Sequence, residues 1–147
     1  MRRTLLLLGL AVTAGCTDVS GIAADNVDRQ VSLWNKNGFA KYSALQARLC
    51  VCAENERRVR IEVVNEVVTK ATYEDDGTPL SPTQRAQIKS VNQLFDFIRA
   101  ARAAKPVQFR SEYDPELGYP TLVQVDPSGE VANDQNGYAL SQVTKIP

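Results

Sequence analysis

The chain has 147 residues, 44% of them apolar, which suits one hydrophobic core and gives no sign of disorder or a fibrous repeat. Basic and acidic residues total 17 each and are mixed along the whole length, so there is no basic patch of the kind nucleic acid requires. Histidine is absent, which removes the commonest general base and the commonest metal ligand together and leaves few hydrolase or zinc mechanisms; no cofactor is expected, and an enzyme less than a non-enzyme.

The first predicted element is a leader. Met1-Arg2-Arg3 is a charged start, and residues 4–12 form an apolar run too short to span a bilayer as a permanent helix. Thr13-Ala14-Gly15-Cys16 then sets small residues directly before a cysteine and resembles the box of bacterial lipoprotein precursors, although Leu is usual where Thr13 stands. That resemblance implies a signal peptide over residues 1–15, cleavage after Gly15, diacylglycerol on the Cys16 sulfur and acylation of the new amino terminus. At about 0.8 kcal/mol per buried methylene, two or three acyl chains hold a protein at a membrane essentially permanently. Thr17, not Asp, follows Cys16, and the sorting rule of double-membraned bacteria would then place the protein on the outer membrane, facing the periplasm. Arg2 and Arg3 leave with the leader, so the mature net charge is about −2, too mild to steer a partner. The membrane, reached through the N-terminal lipid, is the partner the sequence names; an envelope protein is the further partner to look for.

Residues 16–24 are small and polar and read as the tether, leaving residues 25–147 for a single domain. Asp25 is placed to cap a helix in which Val27, Val31 and Trp34 share one face, with Gly38 ending it in a left-handed turn. From residue 39 to 52 the helical period gives way to alternation, which predicts a long strand with both faces partly apolar: Leu45, Ala47, Leu49 and Val51 on one, Tyr42, Ala44, Gln46, Arg48, Cys50 and Cys52 on the other. Val59, Ile61 and Val63 alternate with charged residues in a second strand, Asn65-Glu66 turns the chain, and residues 67–73 return antiparallel. Residues 74–89 carry Asp-Asp-Gly and two prolines and read as a crossing loop with a helical turn after Pro82. Ser90 and Gln93 form a capping-box pattern before a helix over 91–104, whose Val91, Leu94, Phe95, Ile98 and Ala101 make one apolar stripe. Three more strands are predicted, over 107–113, up to Val125, and over 138–146. The order helix, three strands, helix, three strands predicts an α+β fold, an antiparallel sheet or two half-sheets packed on one main helix.

Trp34, Tyr42, Arg48-x-Cys50-x-Cys52, Leu94-Phe95-x-x-Ile98 and Tyr113-Asp114-Pro115-x-x-Gly118-Tyr119-Pro120, with Asp126, Asp134 and Tyr138 behind them, line up as a set. The set resembles a family of small bacterial secreted and lipid-anchored proteins catalogued as domain of unknown function 6174, over residues 34–143. Asn65 stands where a glycine is common in that family. The resemblance implies export and a compact domain, and no particular activity.

Two groups of residues have chemistry to weigh. Asp114, Glu116, Asp126, Glu130 and Asp134 are dense enough to raise a calcium site, but Asp126-Pro127-Ser128-Gly129-Glu130 breaks the spacing of an EF-hand loop, and acids beside Pro and Gly ordinarily bond their own backbone. Cys50 and Cys52, in an oxidising compartment, are a disulfide candidate. Residues two apart in a regular strand lie about 6.6 Å apart, whereas a disulfide needs Cβ atoms about 4 Å apart, so the strand would have to bend. The small ring would constrain little of the unfolded chain, and Arg48 nearby would favour a thiolate. Three readings of the pair stay open: a structural bridge, a redox-active pair and a clip for a soft metal ion. The expected function is a membrane-anchored binding or envelope-associated structural module; the alternative is a thiol-disulfide redox protein or sensor using Cys50 and Cys52.

Overall fold

The computed structural model describes residues 27–129 and 135–147. The leader, Cys16, the 16–24 tether and the Asp25 cap lie outside the described residues, as do Glu130 and Asp134.

The expected order of elements is present, with the helical turn after Pro82. It runs α1 (Val27–Asn37), β1 (Lys41–Cys50), β2 (Arg58–Val64), β3 (Val67–Tyr73), α2 (Pro82–Arg85), α3 (Val91–Ala103), β4 (Gln108–Tyr113), β5 (Pro120–Asp126) and β6 (Asn136–Lys145). All six strands form one antiparallel sheet, in the order β3-β2-β1-β6-β5-β4. Two meanders are therefore joined side by side through β1 and β6. The chain passes from one outer edge of the sheet to the other through α2 and α3, and α3 packs on β4 and β5 and against α1.

Local sequence explains most of the elements. Asn65 and Glu66 take positive φ of 47° and 68°, the backbone a tight two-residue hairpin demands, and Asn tolerates it well. Ser90 caps α3 by accepting from the Gln93 N–H, while the Gln93 side chain accepts from the Ser90 N–H at 2.9 Å, so the expected capping box forms. Val91, Leu94, Phe95 and Ile98 are the buried stripe of α3. They meet Ile61, Val63, Ala71, Val123 and Leu140 from the sheet in one core.

Gly38 differs from its expected role. It closes α1 through its N–H bond to the Trp34 carbonyl, but it lacks the positive φ of a left-handed cap. Glycine is needed there because a Cβ would lie 2.5 Å from the Trp34 ring. Trp34 itself is 4% exposed and meets Phe39, Tyr42 and Tyr119 edge to face, which makes it a core anchor.

The buried face of β1 carries Tyr42, Ala44 and Gln46, all fully inaccessible. A glutamine is costly in a core unless both ends of its amide are bonded. The Gln46 Nε2 donates to the Lys89 carbonyl at 2.8 Å, and the Lys89 N–H donates back to its Oε1 at 3.0 Å. The Tyr42 hydroxyl accepts from the Val91 N–H at 2.8 Å, and the Ser90 hydroxyl donates to Glu66 at 3.0 Å. These bonds seat the start of α3 on β1. A bulge in β6, with Gln142 at φ 53°, shifts the pairing between Ser43 and Leu45.

Candidate functional site

The strand does bend at the cysteines. β1 stops at Cys50, short of the predicted end at residue 52, and the chain turns over residues 51–54. The Cα atoms of Cys50 and Cys52 lie 5.3 Å apart, well under the spacing of a regular strand, and their sulfur atoms stand within bonding distance. The turn has its own supports. The Cys50 N–H donates to the Asn55 side chain at 3.1 Å, the Asn55 N–H to the Cys52 carbonyl at 3.1 Å, and the Glu56 N–H to the Arg48 carbonyl at 2.8 Å. Glu56 takes a positive φ of 58° to close it.

One side of this turn borders a cavity of about 130 Å³. Its apolar part is supplied by Val59, Leu80 and Ile88, all buried; Arg48, Cys52 and Arg57 line it too, with Tyr73 and the polar side chains around it. Leu80 and Ile88 arrive on the crossing segment, which is held by α2. Ser81 accepts from the Gln84 N–H, and Pro82 starts the helix where its missing N–H costs nothing.

The polar groups around the cavity are coupled. The Tyr73 hydroxyl donates to Glu54 at 2.6 Å, and the Gln84 amide donates both to Glu54 at 3.1 Å and to the Tyr73 oxygen at 2.9 Å. Burial, with the Glu54 carboxylate beside it, pushes the Tyr73 hydroxyl up from the usual phenol range. The Arg57 guanidinium stands 3.4 Å above the Tyr73 ring and bonds Asp75 and Asp76 at 3.1 Å and 3.0 Å. Its hydrogen bond holds the Asp75 carboxyl below the ordinary range, while Asp76 is lowered first by the Thr78 N–H. Arg48 donates through one terminal nitrogen to Gln87, and its Nε is buried without a hydrogen-bond partner.

On the other side of the turn, Cys50 borders a wider cavity of about 460 Å³ with Leu49, Arg110, Gln124, Asp126 and Asn136. Arg110 is ion-paired with Glu112.

Two of the loop acids, Asp114 and Asp126, behave as ordinary turn formers. Asp114 accepts from the N–H groups of Glu116 and Leu117, and Asp126 from that of Gly129. Among the described residues no group of three His, Cys, Asp or Glu converges as a metal site would require.

The sequence thus placed Arg48, Cys50 and Cys52 together. It did not bring Glu54, Arg57, Tyr73 and Gln84 to them. Ser81-Pro82-x-Gln84 was the available signal, because a capping box there seats Gln84 next to the strands.

Fold and site define a small α+β domain with one six-stranded antiparallel sheet, a main helix on its inner face and a paired-cysteine turn at the end of a central strand. The chain belongs to the family of unknown function DUF6174, whose model matches residues 26–145. No curated protein and no solved structure matches the chain.

Proposed function

We propose that this protein is exported, anchored by lipid on Cys16 to the periplasmic face of a bacterial outer membrane, and works there as a binding module with a Cys50–Cys52 disulfide. The observation that carries the binding reading is the cavity beside the turn. It joins an apolar floor of Val59, Leu80 and Ile88 to Arg48, whose guanidinium remains charged at any working pH and draws a carboxylate. The cavity has room for about four waters, so it fits the end of a ligand: a short apolar group carrying a carboxylate or carbonyl oxygen.

Titration of the protein with short carboxylic acids, followed by amide NMR, tests the binding reading. Saturable shifts at Leu80 and Ile88 that vanish in Arg48→Gln are expected, and shifts that never saturate would overturn it. For the anchor, Cys16→Ser should abolish palmitate labelling; unchanged labelling would refute lipidation at that residue.

A second reading, thiol-disulfide exchange at Cys50 and Cys52, is favoured by one observation: Cys52 is exposed and borders the same cavity as two guanidinium groups.

A further inference from the structure

We propose that the Cys50–Cys52 bridge accepts electrons from the dithiol of an exported polypeptide, and that the substrate thiolate enters at Cys52. This rests on the disulfide and on the exchange reading above, and adds which sulfur is attacked and by what class of substrate.

Access decides which sulfur of a disulfide is attacked. Cys52 is exposed, whereas Cys50 is half-buried at the end of β1. The surroundings differ in charge as well. Cys52 shares its cavity with Arg48, a guanidinium that remains charged at any working pH and attracts a thiolate, whereas Arg57 there is already bonded to Asp75 and Asp76. The one acid lining that cavity is Glu54, bonded by Tyr73 and Gln84, against two acids, Glu56 and Asp126, on the Cys50 side. Cys50 instead borders the wider cavity, where Glu56 and Asp126 repel an arriving thiolate and Arg110 is already paired with Glu112.

The turn also suits exchange. Its backbone bonds from Cys50 to Asn55 and from Glu56 to Arg48 do not depend on the bridge, so the sulfurs remain close when it opens. A bridge between residues two apart constrains little of the unfolded chain, so stabilising the fold is a minor use of it. Val59, Leu80 and Ile88 offer a place for an apolar side chain beside the substrate cysteine.

The reaction balances without another reagent. The first substrate thiolate bonds to the Cys52 sulfur, the Cys50–Cys52 bond breaks, and its electron pair leaves on Cys50, which takes up a proton. The second substrate thiolate then attacks the first substrate sulfur, and Cys52 leaves as a thiolate that is protonated in turn. Two electrons and two protons pass from the dithiol to the cysteine pair.

The test uses the full-length protein in detergent. Intact mass at isolation should show the bridge, and a series of reduced to oxidised glutathione ratios should open it. Cys50→Ser should form a mixed disulfide with oxidised glutathione at Cys52 about tenfold faster than Cys52→Ser forms one at Cys50. Rates are followed by peptide mass, so that Cys16 is counted apart. Arg48→Gln should slow the Cys52 reaction and move its pH profile upward, which a purely structural arginine would not do. Two free thiols at isolation would overturn the disulfide and this inference together. A bridge that resists the glutathione series, or equal rates at the two cysteines, would overturn the inference and leave the disulfide standing.

Discussion

The two ends of β1 use polar groups in opposite ways. Near its start, Tyr42 and Gln46 are fully buried and bonded to the backbone of Lys89 and Val91, so the strand and the start of α3 hold each other. Near its end, Arg48 keeps a buried Nε without a partner, Cys52 is exposed, and a cavity opens beside them. The difference separates residues that specify the fold from residues left available for chemistry. It also predicts that damage should be unequal along a single strand.

The largest effect is expected at the buried glutamine. Gln46→Ala strands both the N–H and the carbonyl of Lys89, and should lower the unfolding free energy by about 2–4 kcal/mol, read by urea denaturation. A loss below that found at the cysteine end would break the comparison. Tyr42→Phe comes next, at about 1–3 kcal/mol, since it removes only the acceptor of the Val91 N–H.

The same tyrosine gives the comparison a pH signature. Burial raises the Tyr42 pKa above its ordinary value of 10.0, so at high pH the native state retains a proton that the unfolded chain releases. Its contribution is therefore complete below pH 10 and is lost as pH climbs above it. Denaturation midpoints should fall over that alkaline range, and Tyr42→Phe should flatten part of the fall.

At the other end, Cys50→Ser with Cys52→Ser should cost only about 1–2 kcal/mol, because the proposed bridge would close too small a loop to remove much unfolded-chain entropy. A larger loss in the same denaturation assay would assign the proposed bridge to the fold. The smallest effect belongs to the outer face of the sheet, where Lys70 and Glu62 pair at 3.2 Å with both side chains exposed. Lys70→Ala should change stability by less than about 0.5 kcal/mol.

Much of the architecture was legible because it is local. The Ser90–Gln93 capping box, the Asn65-Glu66 turn and the alternation of Val59, Ile61 and Val63 each follow from residues a few positions apart, and each forms as expected. The pairing of β1 with β6 was not legible: alternation reports which side chains share a face, not which strand lies alongside. The same holds for Gln46, whose partner is Lys89, distant in sequence and offering only its backbone. Of the site, the cysteines and Arg48 were visible as a short motif. Tyr73, Gln84 and Arg57 were not, because their meeting depends on where the crossing segment folds back. The loop acids were read correctly as turn formers at Asp114 and Asp126, since the bonds are made within the turn itself.

The central place of β6 bears on the order in which the sheet is made. β1 and β6 are neighbours in the middle of the sheet, yet β6 is the last strand along the chain. A polypeptide emerging N-terminus first can zip its first meander early, but until residues 136–145 arrive β1 presents an unpaired edge along its whole length. Such an edge is an invitation to pair with another chain. Removing β6 would leave a three-stranded ribbon, β3-β2-β1, and a two-stranded one, β5-β4, with nothing between them, so a truncated product is expected to aggregate instead of folding to five-sixths of a domain.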